Sequence, residues 1–180
     1  KTGLEPHGGF NALALEDTNT GGTHAPLYTY LQMPFVKILG LNMFSVRLPS
    51  AILGLLTVVL FFFVLKKLFN SQKLAFLGMF LLAVNPWAIH ISRQALGEAI
   101  SLATILLGVT LYLYSQKKLY MFVLSAIFFG LSVFSYDAPK IFLPPFLALL
   151  IFFTKDRILK GKSYLLVFLL VVLFFYGTML

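Results

Sequence analysis

Apart from Asp156, the acids and the histidines fall, with a few isolated bases, into three short polar stretches of this chain. The first holds Glu5, His7, Glu16, Asp17 and His24, with Arg47 after it. The second holds His90, Arg93 and Glu98, and the third Tyr136, Asp137 and Lys140. These residue types support two kinds of chemistry. A carboxylate within hydrogen-bond reach of a hydroxyl can take its proton. A Lys or Arg can hold a phosphate group, the Lys as a compact point charge. His24 suits a phosphate, a hydroxyl or, beside a carboxylate, a metal ion. No spacing such as H-E-x-x-H occurs, so no metal ligand is assigned, although a divalent ion remains compatible with the chain. The run Asp17 to Thr23, DTNTGGT, opens like a calcium loop, but Tyr28 stands where the closing Glu belongs, so it reads as a turn.

Each candidate also has a plainer reading. Glu5 can be a solvated loop carboxylate, Asp17 a turn residue, Glu16 a helix-end charge and His24 a surface histidine. Arg47 can be an anchor whose charge snorkels to the interface. Arg93 and Glu98 can be an interfacial ion pair, and Asp137 with Lys140 a pair that caps a helix.

The elements that must position these residues are apolar. Of 180 residues, 59% are hydrophobic and 11% charged, with a mean hydropathy of +0.92. A soluble domain carries about 25% charged residues. The formal charge is +8, but the lysines cluster in short links between apolar runs, which points to juxtamembrane charge and excludes nucleic acid as the partner. There is no cysteine, which removes disulfides and thiolate metal sites. The opening KTGLEPHGG has no apolar signal-peptide core, and both ends read as cuts in a longer chain.

The expected fold is an all-α membrane protein. Residues 1–47 form an outer first loop with short interfacial helices, and residues 48–180 form a transmembrane helical bundle of about six spans. Phe10 to Glu16 is expected as a short helix, and Leu27 to Leu41 as an interfacial helix with Pro34 in it. The spans are expected over Leu48–Leu65, Leu74–Ile91, Ala99–Tyr114, Leu119–Tyr136, Ile141–Thr154 and from Ser163 onward, the last incomplete. The links at 66–73, 115–118 and 155–162 carry Lys66, Lys67, Lys73, Lys117, Lys118, Lys155, Arg157, Lys160 and Lys162 against one acid, Asp156. The positive-inside tendency puts these links in the cytoplasm. The three polar stretches then share the opposite, outer face.

Residues beyond composition point to a family. THAPLYTYL, followed by GLNMFSVRLPSAILGLLTVVLFFFVLKKLF, resembles the start of the dolichyl-phosphate-mannose-protein mannosyltransferase-like family, which includes the lipid A aminoarabinose transferases. NPWAIHISRQALGEA and GLSVFSYDAPKIFLPP are similar to later parts of it, in the same order. The resemblance implies a GT-C membrane fold and a multi-pass enzyme, most simply of the plasma membrane. Such an enzyme moves a sugar from a polyprenyl-phosphate-linked donor to a protein, lipid or glycan acceptor on the non-cytoplasmic side, with no required cofactor. It also implies that an acid in the first outer loop deprotonates the acceptor. The family usually shows an Asp-Glu pair shortly before an aromatic such as Phe10. Here that region reads LEPHGGF, so Glu5 is the nearest acid, while Glu16 and Asp17 lie beyond Phe10. All three stay candidates for the base. Ala25 stands where a second Pro is usual after His24, and Glu98 stands where an Asp is usual after Arg93. The substrate-binding candidates are His24, Arg47, Arg93, Glu98, Tyr136, Asp137 and Lys140. The competing reading is a non-catalytic transporter or scaffold with a degenerate first loop. A transporter would place polar residues or broken helices near the membrane midplane, where these spans hold few polar residues, with Thr57, Ser101 and Thr104 only mildly polar.

Overall fold

Asn42 starts the longest helix. Its side-chain oxygen accepts the Ser45 N–H at 2.8 Å, and the Ser45 hydroxyl accepts the Asn42 N–H at 3.2 Å, which completes a capping box. In the computed structural model, which describes residues 15–16, 23–24, 27–94, 97–115 and 118–158, this helix runs Met43–Phe69. We number the helices in chain order and call it α2. It begins ahead of the expected Leu48, because the polar cap and not the apolar run decides where the first turn closes. It ends at Asn70 in the left-handed conformation, φ 51°.

Helix α1 (Leu27–Leu39) precedes it, with Pro34 inside as expected. Tyr28 fastens α1 to α2: its buried hydroxyl donates to the Val46 carbonyl at 2.9 Å. Ahead of α1, β1 (Leu15–Glu16) and β2 (Thr23–His24) pair antiparallel, Leu15 opposite His24 and Glu16 opposite Thr23. This corrects the helix expected over Phe10–Glu16 at its C-terminal end. A helix of two turns is marginal on its own, and cross-strand pairing satisfies the same backbone groups. The rest of that segment, and the DTNTGGT turn up to Gly22, lie outside the described residues.

The expected second span is two helices. α3 (Gln72–Ala83) and α4 (Pro86–Arg93) meet at a 59° bend. Asn85 accepts the N–H groups of Trp87 at 2.8 Å and Ala88 at 3.3 Å, and Pro86 fills the first helical position, where no donor is needed. Asn85-Pro86 is thus a start signal placed inside an apolar run.

α5 (Gly97–Tyr114), α6 (Leu119–Val133) and α7 (Ala138–Ile158) complete the described chain. α6 stops before the expected Tyr136. There the Ser132 and Ser135 hydroxyls turn back onto the Phe129 and Ser132 carbonyls at 2.6 and 2.7 Å. α7 starts ahead of the expected Ile141, which puts Pro144 and Pro145 in its second turn. The expected sixth span lies outside the described residues. By length and composition α2 and α5 can each cross a membrane, and the α3–α4 pair taken as one adds a third; α6 and Ala138–Phe153 are shorter apolar helices.

α2 packs against α3, α4 and α5, and α5 packs against α6. Phe62 and Phe76 rings lie 4.8 Å apart between α2 and α3, and Ser50 donates to the Ile91 carbonyl at 3.3 Å between α2 and α4. Ser125 donates to the Gly108 carbonyl at 2.8 Å between α6 and α5, where Gly108 leaves room for the Phe129 ring. The core forms where α5, α6 and α7 meet, around Tyr112, Phe122, Phe129, Val133, Leu143 and Leu147. Thr57, Thr104 and Thr110 donate to carbonyls one turn back in their own helices, at 2.8, 2.8 and 2.7 Å. These bonds remove the cost of leaving hydroxyls bare in an apolar medium.

Candidate functional site

The helix order sorts the described charges at the helix ends between the two ends of the bundle. At one end, Lys67 lies over the Tyr114 ring at 5.0 Å, Tyr114 donates to the Phe63 carbonyl at 3.4 Å, and the Lys118 N–H donates to the Ser115 carbonyl at 2.6 Å. The links holding Lys66, Lys67, Lys73 and Lys118 gather there. At the other end lie the starts of α1, α2 and α5, the end of α4 and the α6–α7 link. The contacts that define it are Tyr28 with Val46, Ser50 with Ile91, and Gly97 against the Ser135 carbonyl.

Helix starts decide which side chains meet at this second end. Gly97 opens α5 where a Cβ would collide with the Ser135 carbonyl oxygen, so only glycine permits so close an approach. That approach brings half-buried Glu98, in the first turn of α5, beside Tyr136. The phenol of Tyr136 is held above its ordinary value by the Glu98 charge first. Burial, a side-chain hydrogen bond to Glu98 and the Asp137 charge add to it. Asp137 in turn takes Lys140, Nζ to Oδ1 at 2.6 Å, and the Lys140 N–H bonds the Asp137 carbonyl at 3.0 Å. The plainer reading of this pair, a cap on the next helix, is therefore present in the structure. The ion pair sits on the surface and adds little stability.

The ion pair anticipated between Arg93 and Glu98 does not form: Glu98 faces Tyr136, and Arg93 is exposed at the end of α4. Arg47 is exposed in the second turn of α2. Among the described residues neither arginine has a carboxylate within ion-pair distance. His90 bonds Gln94 at 2.6 Å. Glu16 and His24 sit in the paired strands, one position out of register. His24 is three residues before Leu27, within about 11 Å of the start of α1 at the usual Cα spacing. Glu5, His7 and Asp17 lie outside the described residues. Among the described residues no three His, Asp or Glu side chains gather closely enough to hold a metal ion.

Tyr28, Ser50 and Gly97 escaped the sequence reading. Gly97 carries a usable signal, since a glycine just before an acidic first turn weakens the helix it opens unless a close approach requires it. Tyr28 and Ser50 carry none, because their contacts cross 18 and 41 residues of chain.

These features define a polytopic helical membrane protein in which, among the described residues, Arg47, Arg93, Glu98 and Asp137 collect at one end of the bundle, away from Lys66, Lys67, Lys73 and Lys118. The family model described as dolichyl-phosphate-mannose-protein mannosyltransferase matches residues 23–179, and the chain belongs to that family of membrane glycosyltransferases. Members use polyprenyl-phosphate-linked sugar donors in general. No curated protein and no solved structure matches the chain.

Proposed function

We propose that this chain takes part in moving a sugar from a polyprenyl-phosphate-linked donor to a protein, lipid or glycan acceptor, on the non-cytoplasmic side of the plasma membrane. The observation that carries the reading is the gathering of Arg93, Glu98, Tyr136, Asp137 and Lys140 with the starts of α1 and α2 at one end of the bundle. An acid of the first loop, Glu5, Glu16 or Asp17, takes the proton of the acceptor hydroxyl. The freed oxygen attacks the anomeric carbon of the sugar, and the bond from that carbon to the phosphate oxygen breaks. Lys140 receives the growing charge on the leaving phosphate, while Asp137 holds its ammonium in place. Glu98, steadied by Tyr136, and His24 line the space for sugar and acceptor. Nothing in the sequence requires a cofactor for the transfer, and a divalent ion stays compatible with it.

A second reading is a non-catalytic transporter or scaffold. The broken α3–α4 pair favours it, since discontinuous helices build transporter sites. Against it, Thr57, Thr104 and Thr110 spend their hydroxyls on their own helices and present no open polar site between the spans.

The test uses the absence of native cysteine. Single cysteines replace His24, Arg93 and Lys140 in turn, and intact cells meet a membrane-impermeant maleimide. All three label from outside on this reading, while cysteines replacing Lys66 and Lys73 do not. Labelling of the first three from opposite faces overturns it. Donor turnover in the same membranes, with Glu5→Gln, Glu16→Gln and Asp17→Asn, then identifies the base; activity untouched by all three removes the first-loop acids from the mechanism.

A further inference from the structure

The bend between α3 and α4 leaves a crevice of about 370 Å³ against α2, within the usual size of a ligand pocket. Its walls include Ala51, Gly54 and Leu55 of α2 and Ala88, Ile89 and Ser92 of α4. They are mostly apolar, the hydroxyls of Ser92 and Thr57 bonding carbonyls of their own helices, and two residues open sideways: Leu55 is 70% exposed and Ile89 43%. Gly54 closes the end of the crevice, because Ser92 packs so near that an added Cβ would stand 2.5 Å from the Ser92 Cβ.

Two cations share these walls. Arg47 precedes Ala51 by four residues and Gly54 by seven, so it lies on the stripe of α2 that lines the crevice. Arg93 follows Ile89 by four and lies on the matching stripe of α4. The Ser50–Ile91 hydrogen bond, 3.3 Å, holds the two helices together at that level. Arg47 is one turn from it and Arg93 two residues. Both are exposed, and neither has a carboxylate within ion-pair distance among the described residues.

We propose that the crevice holds one acyl chain of an anionic phospholipid from the surrounding bilayer, with its phosphate between Arg47 and Arg93. An unpaired cationic rim above an apolar slot complements a head group of net negative charge. It gains less from a zwitterionic head group, whose own ammonium offsets the phosphate. Of the described acids, Glu98 is committed to Tyr136 and Asp137 to Lys140, so the rim binds its lipid without acting on it. The site goes beyond the transferase reading and does not rest on it.

The protein, purified in mild detergent, is titrated with phosphatidylglycerol or phosphatidylcholine and examined by native mass spectrometry. One phosphatidylglycerol per chain is retained, and phosphatidylcholine binds at least about tenfold more weakly. Arg47→Ala and Arg93→Ala each lower retention roughly tenfold, the effect of losing one charge-assisted hydrogen bond. Ala88→Leu, which fills the slot, abolishes it. Both arginines are exposed, so their variants keep the packing; a melting curve checks this, and the arginine pair decides alone if Ala88→Leu fails to fold. Equal retention of the two lipids, or unchanged phosphatidylglycerol retention in the double arginine variant, overturns the proposal. So does displacement by a polyprenyl phosphate together with loss of sugar transfer in Ala88→Leu, which gives the crevice to the donor. Retention is read without turnover, so its failure is distinct from failure of the transferase reading.

Discussion

Gly97→Ala tests the joint that brings Glu98 to Tyr136. The new Cβ would meet the Ser135 carbonyl oxygen, a backbone atom that cannot rotate away. The α5 start and the α6–α7 link must therefore part by about an ångström or more, and such overpacking costs roughly 1–3 kcal/mol. Alanine's better helix propensity returns at most about 1 kcal/mol, so a net loss of about 1–2 kcal/mol is expected. For a chain of this size that lowers Tm by roughly 2–8 °C, at 2–4 °C per kcal/mol. Displacing Glu98 by an ångström also reaches the chemistry, where such an error can cost about a hundredfold in rate. Gly78→Ala is the control. The one tight contact of its new Cβ is with Leu65 Cδ1, at the tip of a flexible side chain, and that methyl can swing aside. Thermal unfolding in detergent and donor turnover in membranes are measured for both variants. If Gly97→Ala melts and turns over like Gly78→Ala, the close approach is not what positions Glu98.

Glu98→Gln removes the charge that chiefly holds the Tyr136 phenol above its ordinary value of 10.0. The folded chain keeps that proton to higher pH than the unfolded chain. The stabilising contribution is therefore intact below pH 10 and is lost as the pH rises through the raised value. The difference in phenolate absorbance between each chain and its Tyr136→Phe partner should move to lower pH in the variant. Asn42→Ala opens the capping box and costs about 1 kcal/mol, read from denaturant unfolding. Phe129→Ala empties the α5–α6–α7 core and costs about 3–5 kcal/mol, whereas Ser125→Ala, losing only the 2.8 Å bond to Gly108, costs about 0.6 kcal/mol. The same unfolding experiment separates the two, and equal losses would contradict the packing described for α6.

The helices were legible where an apolar run is bounded by charge. Lys66 and Lys67 close α2, and the Lys117-Lys118 link follows α5, as read from the sequence. Starts were harder, because hydrogen bonds set them and not hydropathy. Asn42 and Asn85 each cap a helix inside or just before an apolar run, so α2 begins early and the second span breaks at Pro86. Capping at Asn85-Pro86 was visible as a pattern, but the hydrophobic residues on both sides masked it. The site divides the same way. The Asp137–Lys140 pair is three residues apart on one helix start and was foreseen. The Glu98–Tyr136 pairing depends on two helix ends docking through Gly97, and local spacing favoured Arg93 as the partner instead. In the first loop, two residues of strand replace the end of a short helix, because pairing of Leu15–Glu16 with Thr23–His24 competes well with two isolated helical turns.

α2 has 27 residues, and at about 1.5 Å per residue it is some 40 Å long, against a hydrocarbon slab of about 30 Å. It must lean by roughly 40° or let its terminal turns rise clear of the oil. Both exits are furnished for water, with Asn42 and Arg47 at one end and Lys66 and Lys67 at the other. Altitude then becomes a variable for whatever happens beside Arg47. Longer-chain lipids draw that turn down into the hydrocarbon, shorter ones lift it free, and the protein acquires a sensitivity to membrane thickness built from one helix being too long.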